Sequence, residues 1–151
     1  MKIVSIAVSK KKGVTKHPVD EVILVEGHGI KGDAHAGDWH RQVSFLAVES
    51  IDQARKMGLD VGFGDFAENI ATEGIDWKTM PVGTCLKLGE TVRVEVTQIG
   101  KECHTRCAIY YKAGDCIMPK EGVFARVLTG GVLRRGDAIE IFNHAERSKE
   151  K

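Results

Sequence analysis

The sequence predicts a mainly β protein, a barrel-like β domain with a few peripheral helices. Over several short segments apolar residues alternate with polar ones, which is the period of a half-buried strand. The 17 glycines of the 151 residues are spread along the chain, which indicates many tight turns. Gly89-Glu90, between two such segments, has the length of a hairpin loop. Short strands, many turns and little helix favour a barrel or sandwich.

The first half of the chain is predicted to hold three strands and one helix, at residues 4–8, 22–25, 42–48 and 49–57. Val4, Ile6 and Val8 alternate with other residues in the first strand. The second segment is apolar at every position, so this strand is expected to be buried on both faces. In the third, a β-rich run continues directly into the helix, which Gly58 is expected to end in the C′ position.

In the second half, further strands are predicted at residues 84–88, 91–98, 123–128 and 137–142. The first two are joined by Gly89-Glu90 as a hairpin. In the longer one, alternation predicts that Val92, Val94 and Val96 face the interior and that Arg93, Glu95 and Thr97 face outward.

Length and charge limit the protein's class. The length fits a single domain, expected over residues 1–143, and the tail at 144–151 loses its apolar residues and is expected to fray. Lys and Arg number 22 against 21 Asp and Glu, so no overall field attracts nucleic acid or an acidic membrane. No apolar stretch is long enough to span a bilayer, and the start lacks the features of a signal peptide. We therefore expect a cytoplasmic protein without membrane or nucleic-acid partners, whose cysteines are free, catalytic or metal-bound.

Three of the four cysteines lie close together, at Cys103, Cys107 and Cys116. Lys101 and Arg106 are neighbours of Cys103 and Cys107, and positive charge favours the nucleophilic thiolate form. A reactive sulfur or a sulfur-ligated metal is therefore the first hypothesis for this segment.

Two alternatives remain open for these cysteines. Cys103, His104, Cys107 and Cys116 could form a Cys₃His zinc site, although adjacent Cys103 and His104 would have difficulty pointing at one tetrahedral centre. Alternatively, Cys107 and Cys116 are small buried hydrophobic residues, which is the interpretation that we prefer for Cys85.

A glycine-rich loop forms the second candidate region. Between Gly32 and Gly37, glycines would let the backbone approach a ligand and present N–H groups to an anion. Arg41 could then supply a bidentate fork to a phosphate or another anionic or carbonyl group. The alternative is that Asp33 makes an Asx-type turn, with His35 exposed to solvent.

Two further segments have equally open interpretations. Gly64-Asp65-Phe66-Ala67-Glu68-Asn69 is rich in side chains that cap or turn, so its residues alone are read as a capped single helical turn. Arg126 shares a strand face with Phe124 and Leu128, so its charge needs a partner. That partner is a cofactor phosphate, a carboxylate of the protein, or water at the rim.

The order of these fragments resembles the MOSC family, the domain found at the C-terminus of molybdenum cofactor sulfurases and in small stand-alone bacterial proteins. The resemblance covers nearly the whole chain and rests on residues 29–37, 40–43, 49, 64–70, 74–75, 81–84, 100–104, 122–127 and 135–137. It implies a mostly β fold with a pocket for a molybdenum- or tungsten-bearing pterin cofactor. It also makes Cys103 the functional cysteine, and it makes residues 64–69 a wall of the pocket in which Glu68 or Asn69 orients backbone or cofactor. The implied cofactor contacts are Gly32, Asp33, His35, Arg41, Asn69, Lys101 and Arg126.

The resemblance implies a cofactor-binding protein in which Cys103 relays sulfur to the metal or ligates it. A sulfur transferase acting on molybdenum cofactor and a component of a metal-dependent oxidoreductase both fit. The chain has no counterpart of the pyridoxal-phosphate desulfurase part of the sulfurases, so a separate donor such as a cysteine desulfurase, or a molybdoenzyme acceptor, is expected. The alternatives are a non-catalytic cofactor carrier or storage module and a zinc-stabilised structural module.

Overall fold

The computed structural model describes residues 1–12, 14–100 and 122–142. Within them the protein is mainly β, with strands, one α-helix and a short 3₁₀ helix at Trp77–Thr79. The strands and the α-helix are β1 Lys2–Val8, β2 His17–Val19, β3 Glu21–Val25, β4 Gly29–Ile30, β5 Val43–Ala47, α1 Val48–Lys56, β6 Ile70–Glu73, β7 Cys85–Leu88, β8 Val92–Ile99, β9 Val123–Thr129, β10 Gly131–Arg134 and β11 Ile139–Phe142.

Two sheets organise these strands. One has eight strands in the order β11-β7-β8-β9-β5-β6-β1-β2, and the other has three in the order β10-β3-β4. The β5–β6 pair is parallel, and α1 makes the crossover that a parallel pair requires. The strand order of the larger sheet is open, although an isolated bridge between Lys2 and Ala138 brings β1 beside the start of β11. The predicted mainly β fold is confirmed, and strand pairing brings the sheet near closure without making it a closed barrel.

The local elements follow the sequence patterns. The predicted β7–β8 hairpin is present, but Leu88 pairs with Val92, so its loop is residues 89–91 and one residue longer than predicted; Gly89 has a φ of +64°. Helix α1 ends at Lys56, and Gly58 has a φ of +99°, which suits the predicted C′ position. Both elements depend on neighbouring residues only, which is why the sequence predicts them.

One predicted orientation is wrong. In β3 only Leu24 is fully buried, while Ile23 is 49% and Val25 39% exposed, so this strand is not buried on both faces. In β8 the predicted orientation is confirmed, because Val92, Val94 and Val96 belong to the core and Glu95 lies on the other face, directly opposite Arg126 of β9. Glu95 is nevertheless only 8% exposed, because Arg126 pairs with it.

The core has two parts. The larger lies inside the sheets and includes Phe45, whose ring contacts that of Trp77 at a centroid distance of 5.3 Å. The smaller lies where α1 packs Ile51 and Ala54 beside Leu46 and residues 61–67. Among the described residues no helix is long and apolar enough to cross a membrane.

Candidate functional site

An open groove of about 750 Å³ lies along β8 and β9. Its lining comes from residues 95–97 of β8, residues 126–128 of β9, and the segments 26–27, 38–40 and 82–83, together with Gln42. This volume is within the range of small-molecule sites. We call it the groove.

Arg126 and Glu95 form an ion pair within the groove. They are directly opposite each other on β9 and β8. Arg126 donates from Nε and Nη2 to Oε1 of Glu95 at 2.7 and 2.6 Å. The Arg126 side chain is 49% exposed, whereas that of Glu95 is 11% exposed. The partner of Arg126 is therefore a carboxylate of the protein, with part of the guanidinium left accessible.

The segment before β5 is attached to the groove by polar side chains. Gln42 is buried, and its Oε1 accepts a hydrogen bond from the backbone N–H of Val127 at 2.9 Å. The carbonyl of His40 accepts one from the hydroxyl of Thr97. The exposed imidazole of His40 lies 2.8 Å from Oε1 of Gln98. These bonds hold residues 40–42 against β8 and β9.

Arg41 lies behind this wall, packed against two aromatic rings. Its guanidinium carbon is 4.6 Å from the ring centroid of Trp39 and 5.7 Å from that of Phe124. Such contacts stabilise a cation. Its Nε is nevertheless buried and has no hydrogen-bond partner among the described residues. A buried donor in this state indicates an additional partner.

Asp33, predicted to bind cofactor, is used within the protein. Its Oδ1 accepts hydrogen bonds from the ammonium of Lys16 at 2.8 Å and the N–H of Ser9 at 3.0 Å, and its Oδ2 accepts one from the N–H of His35 at 3.0 Å. Burial raises the pKa of Asp33, but these hydrogen bonds and the charge of Lys16 outweigh it and bring the pKa below its ordinary value. Lys16 was missed by sequence reasoning, because nothing in a lysine-rich loop distinguishes the one lysine that is buried.

Gly32 and His35 flank this ion pair outside the groove lining. Gly32 has a φ of +86° with open space where a Cβ would lie, so its backbone conformation explains the glycine. The ring of His35 is parallel to that of Trp39 at a centroid distance of 6.5 Å, and its Nδ1 is 3.8 Å from Oδ2 of Asp33. The loop therefore brings His35, Trp39 and Arg41 together.

Asn69 and Glu68 lie in the interior of the protein. Asn69 accepts a hydrogen bond from the N–H of Ser44 at 3.0 Å and donates one to the carbonyl of Ala7 at 3.1 Å. Glu68 accepts from the N–H groups of Gly64 and Phe66 at 2.7 and 3.2 Å, and burial raises its pKa to about 7. Both side chains orient backbone, which is one of the two roles considered for this segment.

The predicted sulfur and metal centre lies outside the described residues. The residues predicted to form it are Lys101, Cys103, His104, Cys107 and Cys116. The residues on either side are in contact, because the N–H of Gly100 donates to the carbonyl of Gly122 at 2.6 Å. Cys85 is buried, as expected, with its thiol 3.7 Å from the carbonyl of Gly83. In the described ranges no three His, Cys, Asp or Glu residues are arranged to hold a metal.

Comparison with known proteins identifies the family. The model of the MOSC domain matches residues 32–140. The chain belongs to the MOSC domain family. MOSC domains are generally associated with functions related to molybdenum cofactor sulfurases, and are linked to proteins that handle this cofactor.

Solved structures agree with this MOSC assignment at the level of the fold. YUAD from Bacillus subtilis is similar with a TM-score of 0.77 and 18% identity, over 94% of this chain and 95% of that one. YiiM from Geobacillus stearothermophilus has a TM-score of 0.72 and 23% identity, over 94% and 75%. YiiM from Escherichia coli has a TM-score of 0.67 and 20% identity, over 95% and 70%. Comparison with curated proteins gives no significant match.

Proposed function

We propose that this MOSC protein binds a molybdenum- or tungsten-bearing pterin cofactor in the groove and uses Cys103 to relay sulfur to the metal or to ligate it. The observation that carries the proposal is Arg41, whose buried Nε lacks a partner among the described residues beside a groove of ligand size. An anionic group of a ligand would satisfy that donor and its charge.

The described groove suits such a ligand. A pterin presents ring N–H groups and a carbonyl, and its side chain carries a phosphate. The accessible guanidinium of Arg126 and the imidazole of His40 offer donors, while Glu95 offers an acceptor. Arg41 lies beside the groove and not in its lining, and its Nε–H is the donor that we propose for the phosphate of the bound cofactor. The bound cofactor would supply the metal centre, and these residues would bind and orient it.

Chain connectivity supports a role for Cys103 near this region. Gly100 directly follows β8, and Thr97 of the same strand lines the groove. Cys103 is three residues beyond Gly100, so covalent geometry limits the distance between their Cα atoms to about 11 Å. A thiolate there is a soft ligand suited to molybdenum or tungsten, and a nucleophile towards sulfane sulfur.

The sulfur step that we propose for Cys103 is an exchange without net oxidation. The Cys103 thiolate attacks the outer sulfur of a persulfide on a donor protein. The donor's S–S bond breaks, a new S–S bond forms on Cys103, and the donor leaves as a thiolate. The donor is proposed to be a separate cytoplasmic protein of the cysteine desulfurase type, and a molybdoenzyme is the proposed acceptor.

The test is purification under anaerobic conditions from a host that makes the cofactor. We expect bound pterin, molybdenum or tungsten close to stoichiometric amounts, and an added 32 Da on Cys103 by mass spectrometry after incubation with a desulfurase and cysteine (the mass of one sulfur atom). Cys85→Ser is the matched control, because this thiol is buried. The proposal would be contradicted if the wild-type protein contained no pterin and formed no persulfide.

The same samples separate the alternatives. A non-catalytic carrier would keep its pterin in the Cys103→Ser variant, whereas a thiolate that ligates the metal predicts loss of the metal with this cysteine. A zinc-stabilised module would contain stoichiometric zinc and unfold on chelation. Analysis for molybdenum, tungsten and zinc together decides between these outcomes.

A further inference from the structure

We propose that the buried Lys16–Asp33 ion pair is a positioning pair for the groove: it holds the backbone of His35, and through it the indole of Trp39 that lines the groove and packs on Arg41. The effect on cofactor binding rests on the proposed function. The effect on Trp39 does not depend on any ligand.

The pair is completely enclosed by protein. Both side chains have no exposed surface, and the ammonium of Lys16 lies 2.8 Å from Oδ1 of Asp33 and 3.0 Å from the hydroxyl of Ser9. The backbone N–H of Lys16 also donates to the carbonyl of Gly64 at 2.8 Å. Four separate chain segments therefore meet at this pair.

A continuous set of contacts leads from the pair to the groove. The second carboxylate oxygen of Asp33 accepts the N–H of His35 at 3.0 Å. The carbonyl of His35 accepts the indole N–H of Trp39 at 2.7 Å. The Trp39 ring then contacts the guanidinium of Arg41 at 4.6 Å and the ammonium of Lys12 at 4.3 Å. Each contact orients the next group, so the direction of the ring depends on the carboxylate.

Stability alone does not account for a buried pair at this position. Taking two charges out of water is costly, and apolar replacements of buried pairs are often neutral or stabilising. A directional role does account for it, because an apolar pair would leave the N–H of His35 without its acceptor. The carboxylate needs Lys16 to remain ionised in a buried setting.

The test uses Trp39 as a reporter. The chain has two tryptophans, so Trp77→Phe leaves Trp39 as the single tryptophan, and selective excitation of tryptophan excludes the two tyrosines. In this background we compare Lys16→Met, Asp33→Asn and Lys16→Arg with Val61→Ala, a substitution in the smaller core that lies outside this set of contacts. Quenching of Trp39 fluorescence by acrylamide is measured for each protein under conditions in which the same fraction of the protein is folded.

We expect Lys16→Met and Asp33→Asn to raise the quenching constant of Trp39 by about twofold, because the indole loses its fixed acceptor. Lys16→Arg should restore most of the protection. Val61→Ala should leave the quenching constant unchanged. Equal quenching in Lys16→Met and Val61→Ala would overturn the proposal. If Lys16→Met does not fold, Asp33→Asn, which keeps the shape of the side chain, gives the same decision.

Pterin content of the same variants separates the two proposals. Retention of wild-type quenching in Asp33→Asn overturns the positioning role whether or not the wild-type protein binds pterin. Increased quenching in a protein that never contains pterin supports positioning and contradicts the proposed function alone. Increased quenching together with at least about tenfold less bound pterin, at unchanged fraction folded, supports both.

Discussion

Among the carboxyl groups of the described residues, Glu68 is the one whose ionisation the fold opposes most clearly. It is 1% exposed, and among the described residues it accepts hydrogen bonds from the backbone N–H groups of Gly64 and Phe66. Burial raises its pKa to about 7, and the nearby charge of Asp65 acts in the same direction. Its neutral form is therefore favoured in the folded protein over part of the pH range in which the unfolded chain is ionised.

This predicts a pH-dependent stability. The folded-state pKa of Glu68 lies above the ordinary value of 4.5. The stabilisation that this group contributes to the folded protein is therefore fully present below pH 4.5 and is lost as pH rises through about 7. The glutamine of Glu68→Gln cannot ionise, so this variant does not lose stability in that way. Its free energy of unfolding relative to that of the wild type should therefore increase by up to about 3 kcal/mol between about pH 5 and pH 8. Urea denaturation of both proteins measures this. If the free energies of unfolding of the two proteins change with pH in parallel across this range, the prediction is contradicted.

Asn69 carries a second prediction at the residue scale. Asn69→Ala removes the acceptor of the Ser44 N–H and the donor to the Ala7 carbonyl, both buried. Since each unpaired buried group costs about 1–3 kcal/mol, the two groups together predict a loss of about 2–6 kcal/mol in the free energy of unfolding. Thr79→Ala, which removes an exposed hydrogen bond, should change it by less than about 0.5 kcal/mol. A comparable effect of the two substitutions would show that Asn69 has no special structural role.

The segment that carries Gly64 acts as a structural element despite having no helix or strand. Gly64 has a φ of +86°, and a Cβ built there would lie 2.2 Å from the carbonyl oxygen of Lys16. The contact with Lys16 joins this segment to the buried ion pair. Close backbone approach and a left-handed conformation both require glycine here.

Two alanine substitutions test this at the element scale. Gly64→Ala meets both the unfavourable φ and the clash, whereas Gly58→Ala meets only the unfavourable φ, since open space surrounds the site of its Cβ. We expect a loss of about 1 kcal/mol in the free energy of unfolding for Gly58→Ala and at least about 3 kcal/mol for Gly64→Ala. Denaturant midpoints measure the difference. Equal losses would mean that the segment moves away from Lys16 at little cost.

At this scale the sequence predicts what neighbouring residues decide. The β7–β8 hairpin and α1 follow from local turn and helix signals. The burial of Glu95 does not, because it depends on the ion pair with Arg126 of β9, about 30 residues away. The exposure of Ile23 likewise depends on which elements cover β3.

At the scale of the whole molecule, the large sheet depends on contacts between the chain's beginning and residues near 138. The N–H of Ile3 donates to the carbonyl of Asp137 at 2.9 Å, and the N–H of Ile139 donates to the carbonyl of Met1 at 3.1 Å. Residues up to 142 therefore belong to the folded unit. The expectation that residues 144–151 fray remains a prediction.

Truncation tests that expectation. A chain that ends at residue 143 keeps β11 and these hydrogen bonds, so we expect its denaturant midpoint and cooperativity to match those of the full chain. A chain that ends at residue 136 lacks β11 and should unfold at a clearly lower midpoint, or not fold. A lower midpoint after removal of residues 144–151 alone would place the tail within the folded domain.

The sequence by itself determined the fold class, the local elements and the family, because these depend on periodicity, turn residues and motif order along the chain. Only the tertiary structure decided that Asp33 pairs with Lys16, that Arg126 pairs with Glu95 and that Arg41 retains a buried donor without a partner among the described residues. The physical reason is that burial and pairing depend on residues distant in sequence. A charged side chain in a loop or strand can face water, a ligand or another charge, and its own neighbours in the chain do not distinguish these surroundings.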